Sequence, residues 1–378
     1  MKIEQKRWTR ERGWETNKSS SILVKADLVL VFASREEMSQ PATFRELRKS
    51  YPHSILLGCT TAGEIYNTQV TDDSVVLTAI SFEHTKIKAV SLPITHMDES
   101  SAIGQKLAES LSKENLRHVL VLSDGVHVNG SKLVEGIRTH LPPNVSISGG
   151  LAGDGSRFEK TYVLSEEGVH CDYIAIVGFY GDRLQVGCSS LGGWDPFGPE
   201  RVVTKSKDNI LFELDGQSAL ELYKKYLGEL AHKLPSSGLF FPLTIRSSDK
   251  DEWLVRTLLS VDEKNNSMIF AGNIPQNSHA RLMKANMERL IEGANGAAKN
   301  IKDVQKSEPD LALLISCVGR KMILKQRVEE EVEAVQEIFG PATFLAGFYS
   351  YGEISPHTPN AKCELHNQSM TITTFKEI

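Results

Sequence analysis

Apolar positions along this chain fall into two alternating patterns. The first is an unbroken short run, as in Leu28-Val-Leu-Val-Phe32, His118 to Ser123 and Leu311 to Ser316. Runs without polar alternation suit strands covered on both faces. Ile55 to Gly58, Ser74 to Phe82, Tyr173 to Tyr180 and Met370 to Phe375 add further strands. The second pattern has helical spacing. Ile103, Leu107 and Leu111 share one face over 102–111. Leu133, Val134, Ile137 and Leu141 share another, stopped by Pro142-Pro143. Val328, Val332, Val335 and Phe339 form a stripe over 325–339, ended by Gly340-Pro341, with Glu329, Glu330 and Glu331 expected on the solvated face.

Between these halves, Gly192-Gly193-Trp194-Asp195-Pro196-Phe197-Gly198-Pro199 reads as turns, and we place the domain junction there, giving parts 20–200 and 201–378. After Asp215-Gly216 a helix aligns Leu220, Tyr223, Leu227 and Leu230. Trp253 to Val261 and Met268 to Ala271 read as strands. A long helix is expected over Ser278 to Lys302, with Ser278 as N-cap and Leu282, Met287, Leu290, Ile291 and Ala294 facing inwards. The predicted class is α/β (α+β), with mixed sheets flanked by helices.

A repeat organises these elements. Residues 55–65 read ILLGCTTAGEI and 344–354 read FLAGFYSYGEI; both carry G-x4-G-E-I after an apolar strand. A weaker copy, ISGGLAGDG at 147–155, keeps G-x4-G between Gly150 and Gly155. Each copy is preceded by a buried strand, a turn and a helix, and is followed by another apolar strand. The chain therefore carries repeated strand–helix–strand–Gly-turn–strand units. If the motif marks equivalent turns, Glu64 and Glu353 occupy equivalent places.

The chain has 378 residues, with 43 Lys+Arg and 48 Asp+Glu, a formal charge of −5. That balance supplies no electrostatic drive towards a phosphate backbone, so nucleic acid is not the expected partner. No apolar run approaches the ~20 residues that a bilayer requires, so membrane insertion is not expected. The N-terminus MKIEQKRWTRERGWE lacks the apolar segment of a signal peptide, and a cytoplasmic location is expected. Five widely spaced cysteines without a CxxC argue for reduced thiols, not disulfides or a zinc ribbon.

The richest polar cluster is C-terminal: Cys317 and Arg320 after a buried strand, Tyr349, Tyr351 and Glu353 at a glycine turn, then Cys363, Glu364, His366, Asn367 and Gln368. If the repeat brings these segments to neighbouring strand ends, they meet where α/β ligands bind. Arg320 would hold a carboxylate, with Glu353 the first-choice partner within the chain. Tyr349 and Tyr351 would stack on a planar ligand. Cys363 and His366 would share a face on a helix but not on a strand. The opposite reading is a buried network bracing the fold. No GxSxG, HExxH or Walker motif is present. SGGLAGDG is glycine-rich enough to cradle an anion but lacks the P-loop Lys. Cys59 has no evident base, and Asp124 with Glu64 would form an acid–base pair only if the fold brought them together.

These segments resemble the FIST sensory domain family, N- and C-terminal parts together. The N-terminal likeness rests on GCTTAGEI (58–65), LVLSDG (120–125) and SGGLAGDG (148–155). The C-terminal likeness rests on ELDGQSALELYKKYLG (213–228), LVRTLLSVD (254–262), RLMKANMERLIEGA (281–294), SCVGRKMILKQRVEEEVEAV (316–335), GFYSYGEISP (347–356) and CELHNQSMTITTF (363–375). The resemblance implies a non-enzymatic, stand-alone small-ligand sensor regulating a histidine kinase or another signalling protein, with a homodimer allowed. It is similar to bacterial proteins that sense nitric oxide through haem. On that likeness haem b is the expected cofactor, with His366 as the iron ligand and His127 and His170 as alternatives. The second reading is a protein-interaction module without a small ligand; an unrecognised hydrolase is a third.

Overall fold

The structure, a computed structural model, describes residues 1–17, 25–248, 253–305, 307–359 and 361–378. It is a mixed α+β fold in which three similar units supply three sheets and an inserted segment supplies a fourth. Each unit holds a parallel strand pair with an antiparallel third strand. In the first, Leu28–Ala33 lies between Ile55–Thr60 and Val75–Ser81. In the second, Leu116–Ser123 lies between Ser146–Leu151 and Tyr173–Tyr180. In the third, Leu311–Cys317 lies between Phe344–Ser350 and Met370–Glu377. Strands Lys2–Thr9, Lys86–Pro93 and Leu184–Leu191 extend the respective sheets. A parallel pair cannot be joined by a tight turn, and helices Pro41–Ser50, Gly130–Thr139 and Val328–Phe339 make the three crossovers.

The glycine motif has a structural purpose at the end of each parallel pair. The chain leaves its own sheet there and forms a hairpin on the sheet of another unit. Glu64–Tyr66 pairs with Phe344–Ser350 of the third unit, Val163–Ser165 with Ile55–Thr60 of the first, and Gly352–Pro356 with Ser146–Leu151 of the second. The exchange is cyclic. Gly58, Gly149 and Gly347 stand opposite Val31, Val121 and Leu314, and a Cβ at any of them would overlap that residue's carbonyl oxygen. The equivalent glycine of the second unit is therefore Gly149, one residue earlier than the sequence motif suggests.

The inward faces of the three sheets meet in one core, where Phe32 stacks on Phe348 with centroids 4.7 Å apart and Phe179 packs on Phe375 at 5.3 Å. The outward faces of the second and third sheets pack under helices 130–139 and 328–339 and their neighbours Ser100–Glu109 and Met287–Val304. Cover on both faces accounts for the unbroken apolar runs. No helix among the described residues is long and apolar enough to cross a membrane.

Strands between residues 195 and 284 form the fourth sheet, which has its own apolar core of Val203, Leu211, Leu220, Tyr223, Leu258 and Phe270 among others. The boundary expected at residue 200 lies just inside its start. The helix expected from Ser278 begins later: His279–Lys284 is a strand with Ala280 and Leu282 buried, and the helix starts at Met287 with Asn286 as N-cap. Leu282 satisfies both periodicities, and pairing with Leu243–Arg246 decides for strand. Leu230 is exposed, because the preceding helix ends at Leu227 before Gly228. Trp253 to Val261 is not one strand but parts of two, Leu254–Arg256 and Leu258–Asp262.

The insertion is fastened by Arg320, which is fully buried. Its Nε and Nη2 donate to Glu331 at 2.9 and 2.7 Å, Nη2 also to the Leu290 carbonyl at 2.7 Å, and Nη1 to the Gly192 carbonyl. Gly192 and Leu290 lie where the inserted segment leaves and rejoins the third unit. Glu331 also accepts from Ser316 at 3.0 Å and Tyr349 at 2.7 Å. Two expectations are corrected here. Arg320 pairs with Glu331, not Glu353, and Glu331 is not on a solvated face. Removing one partner of a buried pair leaves the other uncompensated, so Arg320→Ala is expected to destabilise by about 3–5 kcal/mol in urea unfolding. Arg320→Lys should recover little, because one ammonium cannot reach Glu331, Gly192 and Leu290 together. A midpoint unchanged in either variant would exclude this clamp.

Candidate functional site

A cleft of about 440 Å³ lies between the repeated units and the inserted sheet. It opens where the central strands of the second and third units end, the position at which ligands approach α/β sheets. Val126, Val128 and Leu151 come from the second unit, Met322 and Tyr351 from the third, and Leu239, Thr257, Leu258 and Phe270 from the insertion. Its lining is mainly apolar, with a few polar groups, the usual make-up of a small-molecule pocket.

The second unit departs from the repeat here, and the departure builds the cleft. In each unit the chain runs from the close-approach glycine to the hairpin residue that pairs with another unit's glycine. The first and third units cover this in seven positions, Gly58 to Ile65 and Gly347 to Ile354; the second takes fifteen, Gly149 to Leu164. The longer loop carries Phe158 into the cleft, where its ring stacks on Tyr351 at 4.1 Å. Asp154, buried at the loop's start, fixes the pair. It accepts from the Tyr351 hydroxyl, from the amides of Phe158 at 2.9 Å and Lys160 at 3.0 Å, and from Arg35 at 2.9 Å. Burial and this carboxylate push the Tyr351 hydroxyl above its ordinary pKa. Thr257 also lines the cleft, and its hydroxyl is buried with no hydrogen-bond partner among the described residues.

Of the candidate ligand-binding residues read from sequence, Tyr351 alone lines this cleft. Cys317, Arg320, Tyr349 and Glu353 are buried within the fold. Tyr349 donates to Glu331 and stacks on no ligand site, and Arg320 is held by Glu331 and two carbonyls. Asn367 is buried against Gly352, and neither of its amide atoms is bonded among the described residues. Cys363 and His366 lie on one strand, Cys363–His366, so alternation separates their side chains and they form no metal pair. Both border a second cavity. His366 Nε2 lies 2.9 Å from the Ser355 carbonyl, and burial pushes its pKa down to about 3, so the ring is neutral.

The enzymatic alternatives lose their groups in the same way. Cys59 is buried and its thiol pKa is raised. Asp124 accepts from the amides of Val126 and His127 and from Thr161. The glycine-rich loop has no amides left for an anion: those of Ala152, Gly153 and Gly155 bond to backbone carbonyls, and that of Asp154 to Tyr351. Asp124, His127 and Asp172 could together contact a cation, but the Asp124 oxygens already hold their own donors and His127 is bonded to Asp172 at 2.7 Å. Phe158, Thr257 and Met322 escape the sequence reading; the signal for Phe158 is the one copy of the repeat that breaks the pattern.

Glu64 and Glu353 do occupy equivalent places. Glu64 accepts from Thr61 three residues before it and from the amide and hydroxyl of Ser74. Glu353 accepts from Ser350 three residues before it and from the amide and hydroxyl of Ser369. Burial pushes their pKa values up to about 7 and about 8, from an ordinary 4.5. Folding therefore favours the protonated form. Their stabilising contribution is full below about pH 4.5 and is lost as pH rises through 7 to 8. Glu64→Gln combined with Glu353→Gln should flatten this part of the decline in melting temperature between pH 5 and 8. A double variant with an unchanged slope would show that these carboxyls do not titrate with folding.

The uncharacterized protein MJ1623 of Methanocaldococcus jannaschii is 23% identical over 345 residues, 83% of this chain and 64% of that protein's length, so the chain spans less than two thirds of this relative. A solved cyanuric acid hydrolase from A. caulinodans aligns over 94% of this chain and 91% of its own at 7% identity, with a TM-score of 0.33 that supports no statement about reaction. The FIST N domain matches residues 27–217 and the FIST C domain residues 219–356. FIST domains are signal-transduction sensor domains that bind small ligands, and with both parts matched in order this chain belongs to the FIST family.

Proposed function

We propose that this chain is a cytoplasmic, non-enzymatic sensor whose ligand is a small, flat, largely apolar molecule bound in the cleft between the repeated units and the insertion. The observation that carries this is the stacked Phe158–Tyr351 pair in the wall of an apolar, 440 Å³ space. The aromatic pair takes the planar face of the ligand. The cleft has walls from two separately cored bodies, so occupancy biases how they sit together. A signalling protein, a histidine kinase among them, would read that change.

The three histidines expected as iron ligands give haem no comparable support. His366 faces the Ser355 carbonyl and borders a cavity lined by Arg138, Arg256, Lys362 and Glu364 together with Val134, Ile245 and Leu254. His127 is exposed and bonded to Asp172, and His170 stacks on Tyr173 at 4.8 Å.

Binding of indole and 2-naphthol, followed by saturation-transfer NMR, tests the cleft. Phe158→Ala should weaken binding about tenfold or more, from lost stacking and burial. Leu259, exposed in the cleft wall, gives the second variant: Leu259→Trp should fill the space and abolish binding while circular dichroism stays native. Binding unchanged in both variants would exclude the cleft. Haemin is the contrasting probe: a Soret band that shifts with nitric oxide and disappears in His366→Ala would overturn the assignment.

A further inference from the structure

The second cavity, about 530 Å³, lies on the opposite edge of the insertion and contains an unusual cation. Arg256 is only 3% exposed. Its Nε donates to the Asn273 carbonyl at 3.1 Å, and Nη1 to the carbonyls of Val255 at 3.1 Å and Leu365 at 3.0 Å. A Cβ on Gly272 would lie 2.9 Å from Nε, so the glycine leaves room for the guanidinium. Every fixed partner is thus a neutral carbonyl, and no carboxylate among the described residues forms an ion pair with it. Burial pushes its pKa down to about 10, with only the field of Glu364 opposing. The other buried arginine of the core, Arg320, has Glu331. A buried charge without a counter-charge is costly, and a fold that positions one beside a cavity leaves the counter-charge to be supplied.

Two of the other cations at the cavity have carboxylate partners. Arg246 pairs with Glu200 at 2.9 Å, a carboxylate it shares with Arg281 at 3.2 Å, and Lys362 pairs with Glu364 at 3.0 Å. Arg138 and Glu135 also border the cavity. His366 is neutral. Arg256 is the most buried of these cations, and its Nη2 N–H groups have no acceptor among the described residues.

We propose that this cavity is a binding site for a small organic carboxylate, which accepts from Nη2 of Arg256. A carboxylate matches the one guanidinium edge left open at Arg256, whereas a phosphate dianion would meet Glu135 and Glu364 at the same rim. The site is separate from the apolar cleft, and each can fail without the other.

Fluorine NMR of trifluoroacetate with the full chain tests it, with trifluoroacetamide as the neutral counterpart at equal ionic strength. Saturable broadening of trifluoroacetate, reversed by acetate and absent for the amide, is expected. Arg256→Met should abolish it. Arg256→Lys, which keeps the charge and guards against a misfolded Met variant, should weaken it about tenfold through lost guanidinium geometry. Leu259→Trp, which fills the other cleft, should leave it unchanged. Broadening shared by the amide, retained in Arg256→Met or lost in Leu259→Trp would overturn the proposal. Displacement by inorganic phosphate at lower concentration than acetate would overturn the carboxylate assignment.

Discussion

The clamp at Arg320 is the interaction on which the arrangement of this molecule depends. A guanidinium offers five donors in a rigid plane, and here that plane reaches Glu331 on the crossover helix and the carbonyls of Gly192 and Leu290. Those carbonyls stand at the two ends of the inserted sheet. One side chain in the third unit thereby fixes where a separately cored body of the chain sits. Trp194 supports the same joint: its indole N–H donates to the Gln368 carbonyl, 2.9 Å away, and its ring packs among Leu290 and Leu324. Both cavities have walls from this body, so the clamp sets their width as well as the stability of the joint.

The second constraint is the exchange of hairpins among the three units. Close approach at Gly58, Gly149 and Gly347 allows each chain segment to pass from its own sheet to the next. Buried carboxyls at Glu64 and Glu353 then hold two of the three departures through matching hydroxyl and amide donors. In the second unit Val163 stands at the corresponding hairpin position, and Asp154 in the longer loop binds amides and Tyr351 instead. The cleft is found at that substitution. Repetition built the scaffold, and the unit that departs from it supplies the aromatic wall.

Much of this architecture is legible in the residue pattern. The strands Leu28–Ala33, Leu116–Ser123 and Leu311–Cys317 show as unbroken apolar runs because both of their faces are covered. The equivalence of Glu64 and Glu353 shows because both must keep the same local donors. Residues 278–286 mislead because Leu282 fits both a helical stripe and an alternating strand, and only the partner strand Leu243–Arg246 distinguishes them. Glu331 misleads for a related reason. In a run of three glutamates nothing local marks the one that turns inwards, and the mark is Arg320, eleven positions away.

Residue order alone was enough for the class of fold, the repeated units and the family, and it singled out the segments around 316–320, 347–354 and 363–368. Periodicity and glycine spacing are local, and burial imposes them residue by residue. The roles within those segments come from the folded arrangement. Which carboxylate meets Arg320, that Tyr351 and not Tyr349 reaches a cavity, and that Arg256 is left without a counter-charge all depend on side chains brought together from distant units. Chain connectivity does not encode those distances; packing of the three sheets and the insertion does.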